Sequence, residues 1–306
     1  MKRLLVIYNP HSSRFADVKK DVLDRLVEIK GYIIGKYEVD NTNVDKNTAK
    51  LAKLLKDGDI LISAGGDATG IIAANAILTS GKDATLAVLP YGNFNDLSHT
   101  LGVKKFEDVV AQLSSKTLHH GQLYPLDIIV DGKHWRYATC YVTIGMTAES
   151  VKLYDEPAMR QILKKSFGRQ VISYTRLIGW YFKNRHRKLF LPGLSLNGQP
   201  QPQKTSDYIA INGSFMARVL RTGDNYKDPV VFHSKTCPLV NFWYLIQYVA
   251  RGVLFRLPAT KTTGDTLEFK HPITVEIQAE GEFTICKNVH QIKIRKGQKC
   301  LKVITH

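Results

Sequence analysis

In LISAGGDATG, Leu61 to Gly70, two glycines, an acid and a threonine follow directly on an apolar run. That order of residue types suits the holding of an anion. Ile60, Leu61 and Ile62 read as a short buried strand and GIIAANAIL as a helix, which places the glycines at a strand-to-helix turn. A helix N-terminus carries partial positive charge and unpaired N–H groups, and glycine lets the backbone approach a phosphate closely. The same residues equally suit a tight βα turn in which glycine supplies clearance only. Two more loops, NPHSS from Asn9 and PYGNFND from Pro90 to Asp96, also end apolar runs.

The elements that must position these loops alternate through the first half of the chain. RLLVIYN, YIIGKYEV, DILISA and ATLAVLP read as strands. Between and after them lie helical patterns from about Asp17 to Lys30 and at NTAKLAKLLK, IIAANAIL and KFEDVVAQLSS. Strands separated by helices of this length predict βα units and a parallel sheet, which binds ligands beyond the carboxyl ends of its strands. After Pro125 the pattern changes to short β-like runs: LDIIVDG, HWRYATCYVTIG, DYIAING, DPVVFHS, DTLEFK, ITVEIQAEGEFTI and QIKIRKG. These predict a mostly antiparallel sandwich or barrel, interrupted by helical insertions at about 156–185 and 239–252.

Length and charge agree with two parts. A chain of 306 residues exceeds the usual size of one core. Of the net charge of +16, residues 1–125 carry 16 Lys+Arg against 14 Asp+Glu, a net of +2, and residues 126–306 carry 27 against 13, a net of +14. The second part therefore expects an anionic partner, a membrane surface or a nucleic acid. Four cysteines without a C-x-x-C pair suggest neither a zinc site nor a disulfide framework, and a reducing compartment is the simplest setting. The apolar run at the N-terminus is too short for a signal-peptide core, and no uninterrupted apolar stretch is long enough to span a membrane.

Taken together and in order, the loops resemble the diacylglycerol kinase catalytic-domain superfamily, which includes bacterial lipid kinases and sphingosine kinases. LLVIYNPHSS is similar to the family's opening strand and N-P-x-S-G loop, and GGDAT to G-G-D-G-T. PYGNFNDLSHTLG is similar to P-x-G-T-x-N-D-x-A-R-x-L-G, PLDIIV to the acidic strand that follows, and AEGEFTI to the late D-G-E. The resemblance implies an α/β, Rossmann-like nucleotide-binding domain over residues 1–125, to which about 297–306 return. It implies a mostly-β sandwich domain for the lipid substrate over 126–296, with the active site in the cleft between the two. The implied reaction is transfer of the ATP γ-phosphoryl group to a lipid hydroxyl with Mg²⁺.

Phosphoryl transfer needs backbone amides for phosphates, carboxylates for a metal and a base for the acceptor hydroxyl. By the resemblance, Asn9, Gly65, Gly66, Asp67, Thr69, Gly92, Asn95 and Asp96 hold the nucleotide. Asp67, Asp96, Asp127 and Glu282 hold Mg²⁺, directly or through water, and Asp67 also belongs to the catalytic set. Glu280 is the general base, and Glu282 a metal or network partner. Plainer roles stay open: Asp67 and Asp96 as helix N-caps, Asp127 as a solvated strand end, and Glu280 and Glu282 as the flanks of a hairpin turn at Gly281. Ala68 stands for the family's third glycine, Ile71 and Ile72 for a polar Asn and Glu, Asn93 for Thr, His99 for Arg and Glu280 for Asp. A nucleotide- or lipid-binding regulatory protein that has lost catalysis is therefore the alternative.

Residues 160–188, RQILKKSFGRQVISYTRLIGWYFKNRHRK, hold nine Lys+Arg and no acid. Val171, Tyr174, Ile178 and Tyr181 recur at helical spacing. A helix of this kind suits an anionic lipid interface, or else packs its apolar side on the sandwich. The expectation is a cytoplasmic protein held peripherally at the inner membrane face, free of nucleic acid, with a homodimer allowed.

Overall fold

The computed structural model describes residues 2–150 except 13, 41–42, 93–94 and 116–119. It also describes 175–176, 179–180, 183, 191–201, 205–212, 215–216, 220–221, 233–238 and 264–305. The basic segment 160–188 and the insertion at 239–252 lie almost wholly outside the described residues.

The first part runs β1 (Lys2–Tyr8), α1 (Phe15–Asp21), β2 (Tyr32–Glu38), α2 (Val44–Leu54) and β3 (Ile60–Gly65). It continues with α3 (Asp67–Ser80), β4 (Thr85–Pro90), α4 (Asp96–Thr100), α5 (Phe106–Ser114) and β5 (His120–Leu123). The helix expected from Asp17 to Lys30 is shorter. Val22 leaves helical dihedrals at φ −121°, and the chain tightens into a 3₁₀ turn over Leu23–Glu28 that still buries Leu26. β3 and β4 are buried along almost their whole length, which is why they read as continuous apolar runs without alternation. Strand order is β2-β1-β3-β4, then the late strand Leu301–Ile304, then β5. That late strand lies parallel to β4 and antiparallel to β5, so Leu301–Ile304 belong to the first sheet.

In the parallel part, Tyr8 pairs with Ala64 and Gly65 with Pro90. The loops after β1, β3 and β4 therefore leave the sheet side by side. α3 is apolar on all sides because it is covered on all sides: it packs on β1, β3 and β4, on α2, and on the second part of the molecule.

The second part comprises β6 (Leu126–Val130), β7 (Lys133–Ala138), β8 (Tyr141–Gly145), α6 (Met146–Ser150), β9 (Leu194–Leu196), β10 (Gln199–Pro200) and β11 (Thr205–Ile211). Then come β12 (Phe215–Met216), β13 (Leu220–Arg221), β14 (His233–Pro238), β15 (Thr266–Ala279) and β16 (Glu282–Lys296), before the late strand, β17. The run HWRYATCYVTIG is two strands, broken at Thr139–Cys140. The main sheet is antiparallel, in the order β14-β11-β8-β15-β16-β6-β7, with β9 on the other part of β15. Register shifts divide β15, whose first residues pair with β9 and whose last pair with β8. Leu126 and Ile128 from β6, Tyr208 from β11 and Leu194 from β9 share one core, so this sheet curls to enclose it.

Candidate active site

Asp67 opens α3, and its carboxylate accepts the backbone N–H groups of Asn95 (3.1 Å) and Asp96 (3.0 Å), at the start of α4. The N-cap positions belong to Gly66 and Asn95, so neither Asp67 nor Asp96 is a cap; each is the first residue of its helix. Asp67 instead fastens the loop after β3 to the loop after β4. The glycines make this approach possible. A Cβ on Gly92 would lie 2.5 Å from Gly66 Cα, and one on Gly65 would lie 2.4 Å from Thr69 Oγ1. Both glycine loops thus need clearance for each other and for Thr69, whatever ligand they hold.

Asn95 is a loop-forming residue. It adopts φ +57°, its Oδ1 accepts from Gly92 N–H, and its Nδ2 donates to the carbonyls of Pro90 (3.2 Å) and Gly92 (3.0 Å). Its side chain is thus engaged inside the loop assigned to the nucleotide. Asn9 closes a turn by accepting His11 N–H at 2.9 Å. Arg14 joins this loop to the third by donating to Pro90 O at 3.1 Å and lying over the Tyr91 ring.

Glu280 and Gly281 form the two-residue turn between β15 and β16, with φ +51° and +92° and Ala279 opposite Glu282. This is the geometry of a tight hairpin, and a glutamate at positive φ is uncommon there. The turn drives the Glu280 side chain inward. It is buried and accepts the Thr139 hydroxyl at 2.7 Å and the Cys140 N–H at 2.5 Å, both from the β7–β8 break. Burial pushes its carboxyl up to about 7, against those two hydrogen bonds, and the charge of Asp67 adds to the rise. Burial also raises the Cys140 thiol and the Tyr141 phenol, and both groups feel Glu280, Asp96 and Asp67 as nearby negative charges. Glu280 thus touches the turn at Thr139–Tyr141, and Asp67 and Asp96 act on it through their charge. Tyr141 Oη in turn accepts from Gln278, whose Oε1 takes the Thr143 hydroxyl.

Asp127 has a different set of partners. It pairs across β6–β7 with Tyr137 and across β6–β16 with Arg295. Its carboxylate accepts from His134 Nδ1 at 2.7 Å and from the Arg295 guanidinium at 3.3 Å. Tyr137 is bound through its backbone to Asn75, eight residues along α3 from Asp67, a rise of about 12 Å. Asp127 is therefore not a solvated strand end, since it is buried and its carboxylate is taken up by His134 and Arg295. Glu282, half-buried, lies across the hairpin turn from Ala279. Among the described residues no three His, Cys, Asp or Glu side chains gather as for a metal ion, so the expected set Asp67, Asp96, Asp127 and Glu282 is not assembled. Asp127, occupied by His134 and the Arg295 guanidinium, does not fit a metal role. Asp67 and Asp96 are hard oxygen donors of the kind Mg²⁺ takes, one or two carboxylates with the shell completed by water and phosphate.

Several residues of the site left little trace in the sequence. Thr139 and Cys140 sit inside what reads as one alternating run. Asn75 is the exception, a lone amide in the apolar GIIAANAIL: it accepts Tyr137 N–H at 2.9 Å and donates to Tyr137 O at 2.9 Å, joining α3 to β7. Arg136 makes a second such link to Asp45 at 2.6 Å.

Residues 3–129 match the model of the diacylglycerol kinase catalytic domain. The chain is 33% identical over 130 residues to the diacylglycerol kinase of Bacillus subtilis, covering 42% of this chain and 41% of that protein. It is 33% identical over 102 residues to the diacylglycerol kinase of Staphylococcus saprophyticus, covering 33% of each. The matches thus span about two fifths or less of these relatives' length. In structure, a diacylglycerol kinase from Bacillus anthracis aligns over 99% of this chain and 97% of its own, with a TM-score of 0.63 and 14% identity. A second structure from that organism gives 0.67 and 16% over the same shares. These two share the fold, an α/β domain followed by an antiparallel one.

Proposed function

We propose, from the match of residues 3–129 to the diacylglycerol kinase catalytic domain, that the chain is an ATP- and Mg²⁺-dependent lipid kinase acting on a diacylglycerol-like hydroxyl. The observation that carries this reading is Glu280, a buried carboxylate held by the Thr139 hydroxyl and the Cys140 N–H, which burial and the charge of Asp67 push up to about 7. A general base works best when its pKa lies near the working pH.

In this reading the loops after β1, β3 and β4 hold the triphosphate through backbone N–H groups at the start of α3. Asp67 and Asp96 would hold Mg²⁺, which supplies charge neutralisation at the phosphates. The acceptor hydroxyl gives its proton to a Glu280 carboxylate oxygen as its own oxygen bonds to the γ-phosphorus. The bond from that phosphorus to the β–γ bridging oxygen breaks, and ADP leaves. Thr139 and Cys140 hold the carboxylate in place for the transfer.

The acceptor is reached at a membrane surface, bound peripherally on the cytoplasmic face through the nine basic residues of 160–188, and no nucleic acid is involved. Among the described residues no helix is long and apolar enough to cross a membrane. A homodimer is compatible with this arrangement. Labelled ATP offered with diacylglycerol, sphingoid, isoprenoid and phospholipid acceptors tests the proposal, with transfer to diacylglycerol expected. A second reading, a protein of this fold that binds nucleotide without catalysis, draws on Ile71 and Ile72. Both are buried where the family carries a polar pair. Binding of Mg·ATP with no transfer to any acceptor would favour it.

A further inference from the structure

We propose that Asn212 is a positioning residue for Glu280, tying the orientation of this base to the two places where the chain crosses between the parts of the molecule. The base role itself rests on the function proposed above. Asn212 follows the last residue of β11 and is buried. All of its polar side-chain groups are engaged. Its backbone N–H donates to Cys140 O at 2.6 Å, and its Nδ2 donates to Thr139 O and to Tyr124 O, each at 2.9 Å. Its Oδ1 accepts from Lys296 Nζ.

Each partner has a distinct place in the fold. Thr139 and Cys140 form the turn whose hydroxyl and N–H hold the Glu280 carboxylate. Tyr124 lies between β5 and β6, where the chain first passes from the parallel sheet to the antiparallel one. Lys296 ends β16, where it passes back. The two crossings also touch directly: Gly297 N–H donates to Pro125 O at 2.6 Å, and a Cβ at Gly297 would lie 2.7 Å from that oxygen. One residue therefore binds both crossings and both halves of the cradle, its side-chain amide taking Tyr124, Lys296 and Thr139 and its backbone N–H taking Cys140. A relative movement of the two parts is carried by Asn212 to the donors that favour the ionised base. Among the described residues, the titratable groups that interact with Glu280 are Asp67 from α3, and Cys140 and Tyr141 from the β7–β8 break; Asp96 acts on the latter two.

The test reads Glu280 itself, so it does not depend on activity. With ¹³C-labelled glutamate and the resonance assigned by Glu280→Gln, the Glu280 carboxyl is titrated in the wild-type protein, in Asn212→Ala and in the milder Lys296→Met. Loosened Thr139 and Cys140 donors raise the midpoint, by about half a pH unit or more in Asn212→Ala and by less in Lys296→Met. Rates with Mg·ATP and dispersed diacylglycerol should show the same shift in their acidic limb. kcat should fall about tenfold or more while KM for ATP changes less than about twofold, and in the Glu280→Gln background Asn212→Ala should then have little further effect on rate. An unmoved or lowered midpoint in both variants overturns the proposal. Should Asn212→Ala not fold, Lys296→Met alone decides by the same criterion. Absence of transfer by the wild-type protein, with the midpoint shift present, sinks the kinase reading and leaves the positioning role standing.

Discussion

Asp67 and Asp96 open different helices 29 residues apart, and the carboxylate of the first accepts the backbone N–H of the second at 3.0 Å. The same carboxylate takes Asn95 N–H, so one side chain fixes the starts of two helices against each other. Acidic residues in a first helical turn also complement the helix dipole. Asp67→Ala should separate the loops and remove most of the thermal stabilisation given by Mg·ATP. At a ligand concentration about 100 times Kd that stabilisation is about 2.7 kcal/mol. Melting curves with and without Mg·ATP check this, and an unmoved wild-type midpoint at saturation would end the nucleotide-site reading.

Glu280→Gln should leave Mg·ATP binding nearly intact and slow phosphorylation by about 100-fold or more, the usual contribution of a general base. In the wild-type protein the rate should rise with pH through about 7 as the base ionises. Undiminished activity in Glu280→Gln would transfer the role elsewhere, with Glu282 next.

The same group has a signature in stability. Its folded pKa of about 7 lies above the ordinary value of 4.5, so the folded state holds the proton more tightly than the unfolded chain. Stability linked to this group is present below about pH 4.5, falls as pH rises toward 7, and is absent above, a loss of roughly 3 kcal/mol at most. Glu280→Gln removes that slope. Urea unfolding from about pH 4.5 to about 8.5 should give curves for the two proteins that diverge as pH rises, the variant becoming relatively more stable; parallel curves would contradict the burial and its cause.

Two glycines near the site should respond to alanine with opposite signs. At Gly92 the new methyl would meet Gly66 Cα, and overpacking of this kind costs about 1–3 kcal/mol. At Gly70, inside α3, the nearest atom to a new Cβ is Val88 Cγ1 at 3.8 Å. Gly70→Ala should therefore stabilise the helix, by up to about 1 kcal/mol. Denaturant midpoints distinguish the two; equal effects would mean that the loops do not approach as closely as described.

Binding to anionic vesicles at low salt should exceed binding to neutral ones and fall at high salt, since each basic residue near such a surface contributes about 1 kcal/mol. Charge reversal of Arg185, Arg187 and Lys188 to Glu should weaken it without unfolding the protein. Equal sedimentation with both vesicle types would rule out the electrostatic docking.

By itself the sequence determined the α/β alternation of the first part, the β-rich second part and the three loops at Asn9, Gly65 and Gly92. These are local records: apolar periodicity reports which faces are buried, and glycine or asparagine marks where the backbone must turn or draw close. Glu280–Gly281 as a hairpin turn was legible for the same reason. Only the tertiary structure decided what the side chains meet there. Asp127 meets Arg295, 168 residues away, because β6 and β16 pair in one register. Glu280 meets Thr139 and Cys140 across 141 and 140 residues because an inward turn and a strand break coincide. Such partnerships depend on strand order and register, which no local pattern encodes. A slip of one residue would turn Asp127 to the other face of its sheet.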